Sequence, residues 1–345
     1  MERTTLTIDG IAIQVESGTT LLRAAEQSGI YIPHLCDHPD LDPVGVCRLC
    51  MVEVEGRGLV LACRTAVEDG MVVHTEGPEV ESVRRTAAEL LIINHHGDCL
   101  SCVQNEQCEL QRIAAYVGID DERLDRLRHP TEKVPVDVSN PFFDRDPNKC
   151  VLCGICVRTC EQLQEVSAID FAFRGYDTTI GTFGNRPIAE SRCESCGECV
   201  VRCPVGALTP KDSQRPAREV KTVCPYCGVG CGLYLGVRGN RIVASRGDPD
   251  NPVNQGRLCV KGRFGYRFVN HPDRLKTPLI KRDGQFVEAS WDEALDRVAE
   301  KFSQSKGDKF AALTSAKCTN EDNYVVQKFG RVVMGTNSID HCARL

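Results

Sequence analysis

Thr5-Leu6-Thr7-Ile8 and Ile11-Ala12-Ile13-Gln14-Val15 alternate apolar and polar positions on either side of Asp9-Gly10. That is the pattern of two strands joined by a tight hairpin turn. Thr20 to Gln27 then reads as a short helix closed by Ser28-Gly29. Val52–Val54 and Leu59–Ala62 read as strands around Gly56-Arg57-Gly58. Residues 79–119 change to helical spacing: Val83, Ala87, Leu90, Leu91 and Asn94 recur on one face, with His95 a turn later. Residues 120–140, charged and then proline-bearing, read as a linker. From 276 the pattern is that of an α/β segment, with a helix starting at Trp291-Asp292-Glu293-Ala294-Leu295 and a buried strand over Phe310 to Thr314.

Between these stretches lie cysteines, 21 of the 345 residues, and they change the picture. So many thiols mean either a disulfide scaffold in an oxidising compartment or metal sites in a reducing one. The N-terminus MERTTLTIDG has no apolar core or cleavage site of a signal peptide and no twin arginine. No stretch approaches the roughly 20 apolar residues that span a bilayer. The expectation is a cytoplasmic chain whose cysteines are metal ligands. A net charge of −6 with both signs interspersed gives no nucleic-acid footprint.

The strongest spacing is doubled. Cys150, Cys153, Cys156 and Cys160 follow C-x2-C-x2-C-x3-C, and Cys193, Cys196, Cys199 and Cys203 repeat it before Pro204. This is the bacterial two-cluster ferredoxin pattern, in which three cysteines cover three corners of a cubane and the fourth reaches the neighbouring cluster. One [4Fe–4S] set is therefore Cys150, Cys153, Cys156 and Cys203, and the other Cys193, Cys196, Cys199 and Cys160. Gly154 and Gly197 let each loop wrap close to sulfur. Two zinc ribbons fit a doubled four-cysteine run poorly. Glu161 stands where proline often follows, and 32 residues separate the runs, so the module carries an insertion.

Three further sets complete the count. Cys36, Cys47, Cys50 and Cys63, spaced C-x10-C-x2-C-x12-C, resemble a plant-type [2Fe–2S] arrangement with a different first gap. Zinc is the competing reading, and the preceding hairpin favours the ferredoxin. His95, Cys99, Cys102 and Cys108 follow H-x3-C-x2-C-x5-C. Alone they fit zinc as well; between two cluster modules they read as a [4Fe–4S] site with one imidazole ligand, His96 being a surface histidine. Cys224, Cys227, Cys231 and Cys259, spaced C-x2-C-x3-C-x27-C among Gly228, Gly230 and Gly232, read as a fourth [4Fe–4S] site. Cys318 and Cys342 read as incidental thiols. Lys261, taken alone, is an ordinary solvated lysine.

The order of modules resembles the front end of three related families: [FeFe]-hydrogenases, the large iron–sulfur subunit of NADH:quinone oxidoreductase, and NAD(P)-linked formate dehydrogenase α subunits. C-P-Y-C-G-V-G-C from Cys224 to Cys231 and G-R-L-C-V-K-G-R-F from Gly256 to Phe264 resemble the Fe4S4 domain of molybdopterin oxidoreductases. The hydrogenases carry their active-site domain at that place. The respiratory subunit typically lacks the full eight-cysteine ferredoxin.

Ser290 to Leu295 resembles the entry to a molybdopterin domain. Asn320-Glu321-Asp322-Asn323-Tyr324, Gln327-Lys328-Phe329, Gly335-Thr336-Asn337 and Asp340-His341-Cys342-Ala343-Arg344-Leu345 resemble the formate dehydrogenase catalytic subunit. In that family the last run is followed by the selenocysteine or cysteine that ligates the metal. The expectation is a chain that stops short of that residue and is inactive on formate by itself.

The resemblance implies an α+β multidomain chain. Its parts are a β-grasp [2Fe–2S] domain (1–78), a helical [4Fe–4S] module with one histidine and three cysteine ligands (79–119), a linker (120–140), a 2[4Fe–4S] ferredoxin (141–215), an Fe4S4 domain (217–275) and the truncated start of a molybdopterin domain (276–345). It implies formate/CO2 interconversion at a molybdenum or tungsten bis(molybdopterin guanine dinucleotide) centre in the full protein. Lys261 matches a lysine between the adjacent cluster and the pterin, where it assists electron passage. Electrons are expected to run from the Cys224 site through the ferredoxin pair to the His95 or [2Fe–2S] site. They would then pass to partner subunits carrying flavin and NAD(P), or to a ferredoxin or hydrogenase. The alternative is a non-catalytic iron–sulfur subunit of an NADH dehydrogenase or hydrogenase complex.

Overall fold

A computed structural model describes residues 3–119, 121–128, 133–211, 214–316 and 318–341. The chain divides into two compact units, residues 1–211 and 212–345.

The first unit opens with the predicted hairpin, β1 (Arg3–Ile8) and β2 (Ile11–Glu16). Asp9 and Gly10 both have positive φ, 49° and 79°, as a type I′ turn requires. The alternation sends Leu6, Ile8, Ile13 and Val15 inward. Helix α1 (Leu21–Gln27) is capped by the Thr20 hydroxyl, which accepts from the Arg23 amide at 3.4 Å. Leu21 and Leu22 are fully buried beneath the sheet, each stabilising by about 2–3 kcal/mol. β3 (Met51–Val54) and β4 (Gly58–Leu61) form the second hairpin, within a residue of the predicted bounds. β5 (Met71–His74) had no counterpart in the sequence reading. It completes a five-stranded sheet in the order β2-β1-β5-β3-β4, parallel to β1 and antiparallel to β3.

Helix α2 (Pro78–Ile92) carries proline in its first turn beside Glu79 and Glu81. It is shorter than the helical pattern predicted. Asn94 and His95 lie beyond its end, and residues 93–108 form turns before α3 (Glu109–Val117), which closes at left-handed Gly118. The buried face is also rotated: Val80, Arg84, Ala88 and Glu89 point inward, while Leu90 is exposed. The reason is polar. Arg84 donates Nε and Nη2 to the Met51 carbonyl at 3.1 and 2.7 Å, and Glu89 accepts from Arg123 Nε at 2.8 Å. Apolar periodicity cannot show a buried charge that is satisfied this way. The stretch read as a linker contains helix α4 (Asp121–Leu127), with Leu124 buried.

The ferredoxin region is short and pseudo-symmetric. Its elements are β6 (Phe143–Arg145), α5 (Ile155–Arg158), the insertion hairpin β7 (Asp170–Ala172) and β8 (Thr179–Gly181), α6 (Glu198–Arg202) and β9 (Leu208–Pro210). β6 and β9 pair antiparallel and close the region on itself. Asp137 anchors the insertion: its carboxylate accepts from the Ile188 amide at 2.8 Å, the Ser139 hydroxyl at 2.6 Å and Arg145 Nη2 at 3.3 Å. Leu35, Leu49, Ala88, Leu110, Ile113, Val151, Ile155, Val205 and Ala207 share one apolar core. The ferredoxin region therefore packs directly on the α2–α3 module and on the Cys36 loop.

The second unit begins with an antiparallel sheet of β10 (Arg218–Val223), β11 (Gly232–Arg238) and β12 (Arg241–Gly247), followed by the short helix α7 (Val260–Phe264). A hairpin, β13 (Leu279–Arg282) and β14 (Gln285–Glu288), leads to α8 (Trp291–Ser303). The Ser290 hydroxyl caps α8 by accepting from the Glu293 amide at 3.1 Å. β15 (Ala312–Thr314), α9 (Asn320–Val332) and β16 (Ile339–His341) form a parallel βαβ turn. The strand predicted as buried is not: Leu313 is 84% exposed, because the β15–β16 sheet has two strands and its far face is uncovered among the described residues. Cys342, Ala343, Arg344 and Leu345 lie outside the described residues.

Candidate iron–sulfur centres

Each cysteine run folds the same way. Leu152 and Ser195, two residues past the first cysteine of each run, are left-handed with φ 54° and 58°. Gly154 and Gly197, the N-caps of α5 and α6, follow with φ 72° and 75°. The left-handed residue turns its amide back on the loop, so Leu152 N–H donates to Cys150 Sγ and Ser195 N–H to Cys193 Sγ, both at 3.4 Å. Ala168 N–H donates to Cys160 Sγ at 3.2 Å. Strain at non-glycine residues beside a set of thiols marks a backbone built for those sulfurs, and N–H···S bonds are one of the means by which a protein tunes a cluster.

Cys150, Cys153, Cys156 and Cys203 line one apolar hollow with Val151, Ile169, Val205 and Leu208. Cys160, Cys193, Cys196 and Cys199 line a second with Phe143, Val166 and Ile188. Each hollow thus takes three thiols from one run and the fourth from the other, the crossed grouping expected from the spacing. Burial pushes Cys150 up to about 11 and Cys153 up to about 12. Cys156 and Cys199, buried among other sulfurs, are raised further. Four thiols around a dry hollow hold their protons unless a cation replaces them.

Among the described residues, no group of three or more His, Cys, Asp or Glu stands close enough round one point to hold a single metal ion. Each hollow instead gathers sulfur from both runs. Their donor set, four soft thiols with apolar walls, fits a [4Fe–4S] cluster.

The N-terminal four are all buried. Cys47 is hydrogen-bonded to the Cys36 sulfur. This draws the Cys36 thiol down to about 6 against its burial, with a smaller contribution from Arg158, and it pushes Cys47 up. Cys63 does the same for Cys50. The Ala62 amide donates to the Cys50 carbonyl at 2.9 Å, which ties the last ligand strand to the loop.

The His95 set is built on turns. His95 Nδ1 lies 3.0 Å from the Lys149 carbonyl. A carbonyl only accepts, so Nδ1 carries the proton and Nε2 is left with a free lone pair. This is the arrangement in which a metal-binding histidine is oriented by its other nitrogen. Burial lowers the pKa of His95 and favours the neutral ring. Cys108 caps α3, and its thiol is raised by burial and by Cys102 and Cys99. Gly206 passes so close to Cys102 that a Cβ there would stand 2.6 Å from Sγ. The site therefore adjoins the Cys203 hollow. His96, exposed, donates its amide to the Asn148 carbonyl at 2.8 Å.

In the second unit the Cys224 amide donates to the Cys231 carbonyl at 2.9 Å, closing the C-P-Y-C-G-V-G-C loop. Cys259 caps α7, and Gly262 on that helix faces Cys224 Sγ. Burial raises Cys224 and Cys231, and each also feels the charges of Cys227 and Cys259, so the four thiols are electrostatic neighbours. Lys261 is exposed on α7, two residues past Cys259. Cys318 is exposed. Sequence reasoning missed Arg158 and Arg202, whose guanidinium groups cross from the ferredoxin helices to the Cys36–Asp42 loop. Nothing local in the sequence announces a contact over more than a hundred residues.

Family models match five stretches of the chain. Residues 1–78 match a 2Fe-2S iron-sulfur cluster binding domain, 84–123 the NADH-ubiquinone oxidoreductase-G iron-sulfur binding region, and 149–207 a 4Fe-4S dicluster domain. Residues 217–271 match the molybdopterin oxidoreductase Fe4S4 domain and 274–345 molybdopterin oxidoreductase. A subunit of the NADH-quinone oxidoreductase of Rhizobium meliloti is 37% identical over 345 residues, covering 98% of this chain and 40% of the relative. A putative formate dehydrogenase of Bacillus subtilis is 35% identical, covering 98% and 39%. The chain spans about 40% of the length of these curated relatives. A chain of the NAD+-reducing [NiFe]-hydrogenase in its H2-reduced state aligns with TM-score 0.55 and 32% identity, over 60% of this chain and 87% of that one. No helix among the described residues is long and apolar enough to cross a membrane. The matches thus pair iron–sulfur domains with a segment of molybdopterin oxidoreductase.

Proposed function

We propose that this chain, the iron–sulfur portion of a molybdopterin oxidoreductase, holds one [2Fe–2S] and four [4Fe–4S] clusters and serves formate/CO2 interconversion. The observation that carries the cluster reading is the pair of hollows, each lined by three thiols of one run and one of the other. Cys36, Cys47, Cys50 and Cys63 would hold the [2Fe–2S] cluster. His95 with Cys99, Cys102 and Cys108, the two crossed ferredoxin sets, and Cys224 with Cys227, Cys231 and Cys259 would hold the four cubanes. When bound, such clusters supply one-electron redox chemistry. The chain's own residues fix the sulfurs, exclude water with apolar walls and aim amides at Cys150, Cys160 and Cys193. Lys261, on the helix that Cys259 caps, would assist electron passage between that site and a bis-pterin centre.

Formate as substrate is supported by the likeness of residues 320–345 to formate dehydrogenase catalytic subunits and by the formate dehydrogenase relative. A second reading is supported by the respiratory-subunit and hydrogenase likenesses: an electron-carrying subunit of an NADH dehydrogenase or hydrogenase complex. Purified with its native complex and kept anaerobic, the protein should bleach in the visible on adding formate. Bleaching by NADH with none by formate would favour the second reading.

A further inference from the structure

The loop from Cys36 to Asp42 is held from outside its own domain. Arg158, the last residue of α5, donates Nη1 to the Asp42 carbonyl at 2.6 Å and Nη2 to the Cys36 carbonyl. Arg202, the last residue of α6, donates Nη2 to the Asp40 carboxylate at 2.6 Å and is also paired with Glu198. The Asp42 amide donates to Gln162 Oε1 at 3.2 Å. Both ferredoxin helices thus end on this one loop, yet their two cations are balanced differently. Arg202 sits between two carboxylates. Arg158 is 7% exposed, and among the described residues its hydrogen bonds go to carbonyls. Asp37, beside Cys36, is paired with Arg23.

We propose that Arg158 is a positioning residue that seats the Cys36 loop on the ferredoxin region and leaves a buried positive charge beside the [2Fe–2S] site, raising its reduction potential. The inference rests on the reading that Cys36, Cys47, Cys50 and Cys63 hold that cluster. Reduction takes one electron from an external donor such as dithionite and adds one negative charge to the site. A cation shielded from water favours the more negative state. A neutral residue in its place should therefore make the site harder to reduce, and a lysine should not.

The test is an anaerobic redox titration of the full protein, following the [2Fe–2S] electron paramagnetic resonance signal in native, Arg158→Met, Arg158→Lys and Asp40→Asn forms. Asp40→Asn breaks the neighbouring contact while leaving Arg158 in place. The expected result is a tenfold lower reduced-to-oxidised ratio at fixed potential for Arg158→Met, a shift of about 59 mV for a one-electron couple. Arg158→Lys should stay at the native value, and Asp40→Asn, which removes a negative charge from the same loop, should not fall below it. Selective loss of the [2Fe–2S] signal in Arg158→Met, with its return in Arg158→Lys, supports the positioning role. Equal potentials in all four forms overturn the inference, as does loss of every cluster from both Arg158 variants. A native protein with no [2Fe–2S] signal overturns the parent reading as well.

Discussion

Cys203 and Cys160 are the residues at which the crossed ferredoxin assignment is most exposed to test. Each lies in one run and lines the hollow of the other. Replacing Cys203 with Ser should cost about four iron atoms per chain and open Cys150, Cys153 and Cys156 to alkylation, while Cys193, Cys196 and Cys199 stay protected. Labelling of the second trio instead, seen by mass spectrometry of the alkylated protein, would sink the assignment. His95 was legible only as a candidate, because one histidine near three cysteines fits zinc as well as iron. The Lys149 carbonyl, 54 residues away in sequence, decides which nitrogen is left to bind. Asp137 gives a pH dependence. Burial raises its carboxyl, but the Ser139 and Ile188 hydrogen bonds and the Arg145 charge outweigh it and hold the group below its ordinary value. Stability from this group is present above the ordinary carboxylate range and is lost as pH falls through the lowered folded value. Asp137→Asn should lose about 1–3 kcal/mol at neutral pH and show less of the native acid-side decline. Matching acid denaturation curves for the two proteins would rule this out.

The short elements are where sequence and structure diverge most instructively. The first hairpin and α1 are written in local terms, through alternation, an Asp-Gly turn and a threonine cap, and they form where those signals lie. β5 is four residues long and draws its place from pairing with β1 and β3, neither of which is adjacent to it in sequence. The buried face of α2 escaped because Arg84 and Glu89 occupy it. In α5 and α6 the decisive feature is backbone rather than side chain. Gly154 has φ 72°, and a Cβ there would meet Phe171 at 3.1 Å. Gly154→Ala should destabilise the loop by about 1–2 kcal/mol and lower the iron retained on gel filtration. Equal iron retention in native and Gly154→Ala proteins would show that the left-handed turn is not needed to seat the cluster.

At the scale of the whole chain, the order of modules was legible because cysteine spacing is a local pattern set by what the sulfurs must surround. What the sequence could not show is how the modules share one core. Leu35, Ala88, Ile113, Ile155 and Val205 come from three modules yet pack together, and that packing brings the Cys36 loop, the His95 turns and the Cys203 hollow side by side. Five iron–sulfur clusters in one chain is a statement about stoichiometry, so iron, acid-labile sulfide and zinc should be counted per chain in anaerobically purified protein. Five filled sites require about 18 iron atoms, a near-equal number of sulfides and no zinc. A count lower by about four iron atoms, with one zinc in their place, would refute the five-cluster reading and would point first to the His95 site.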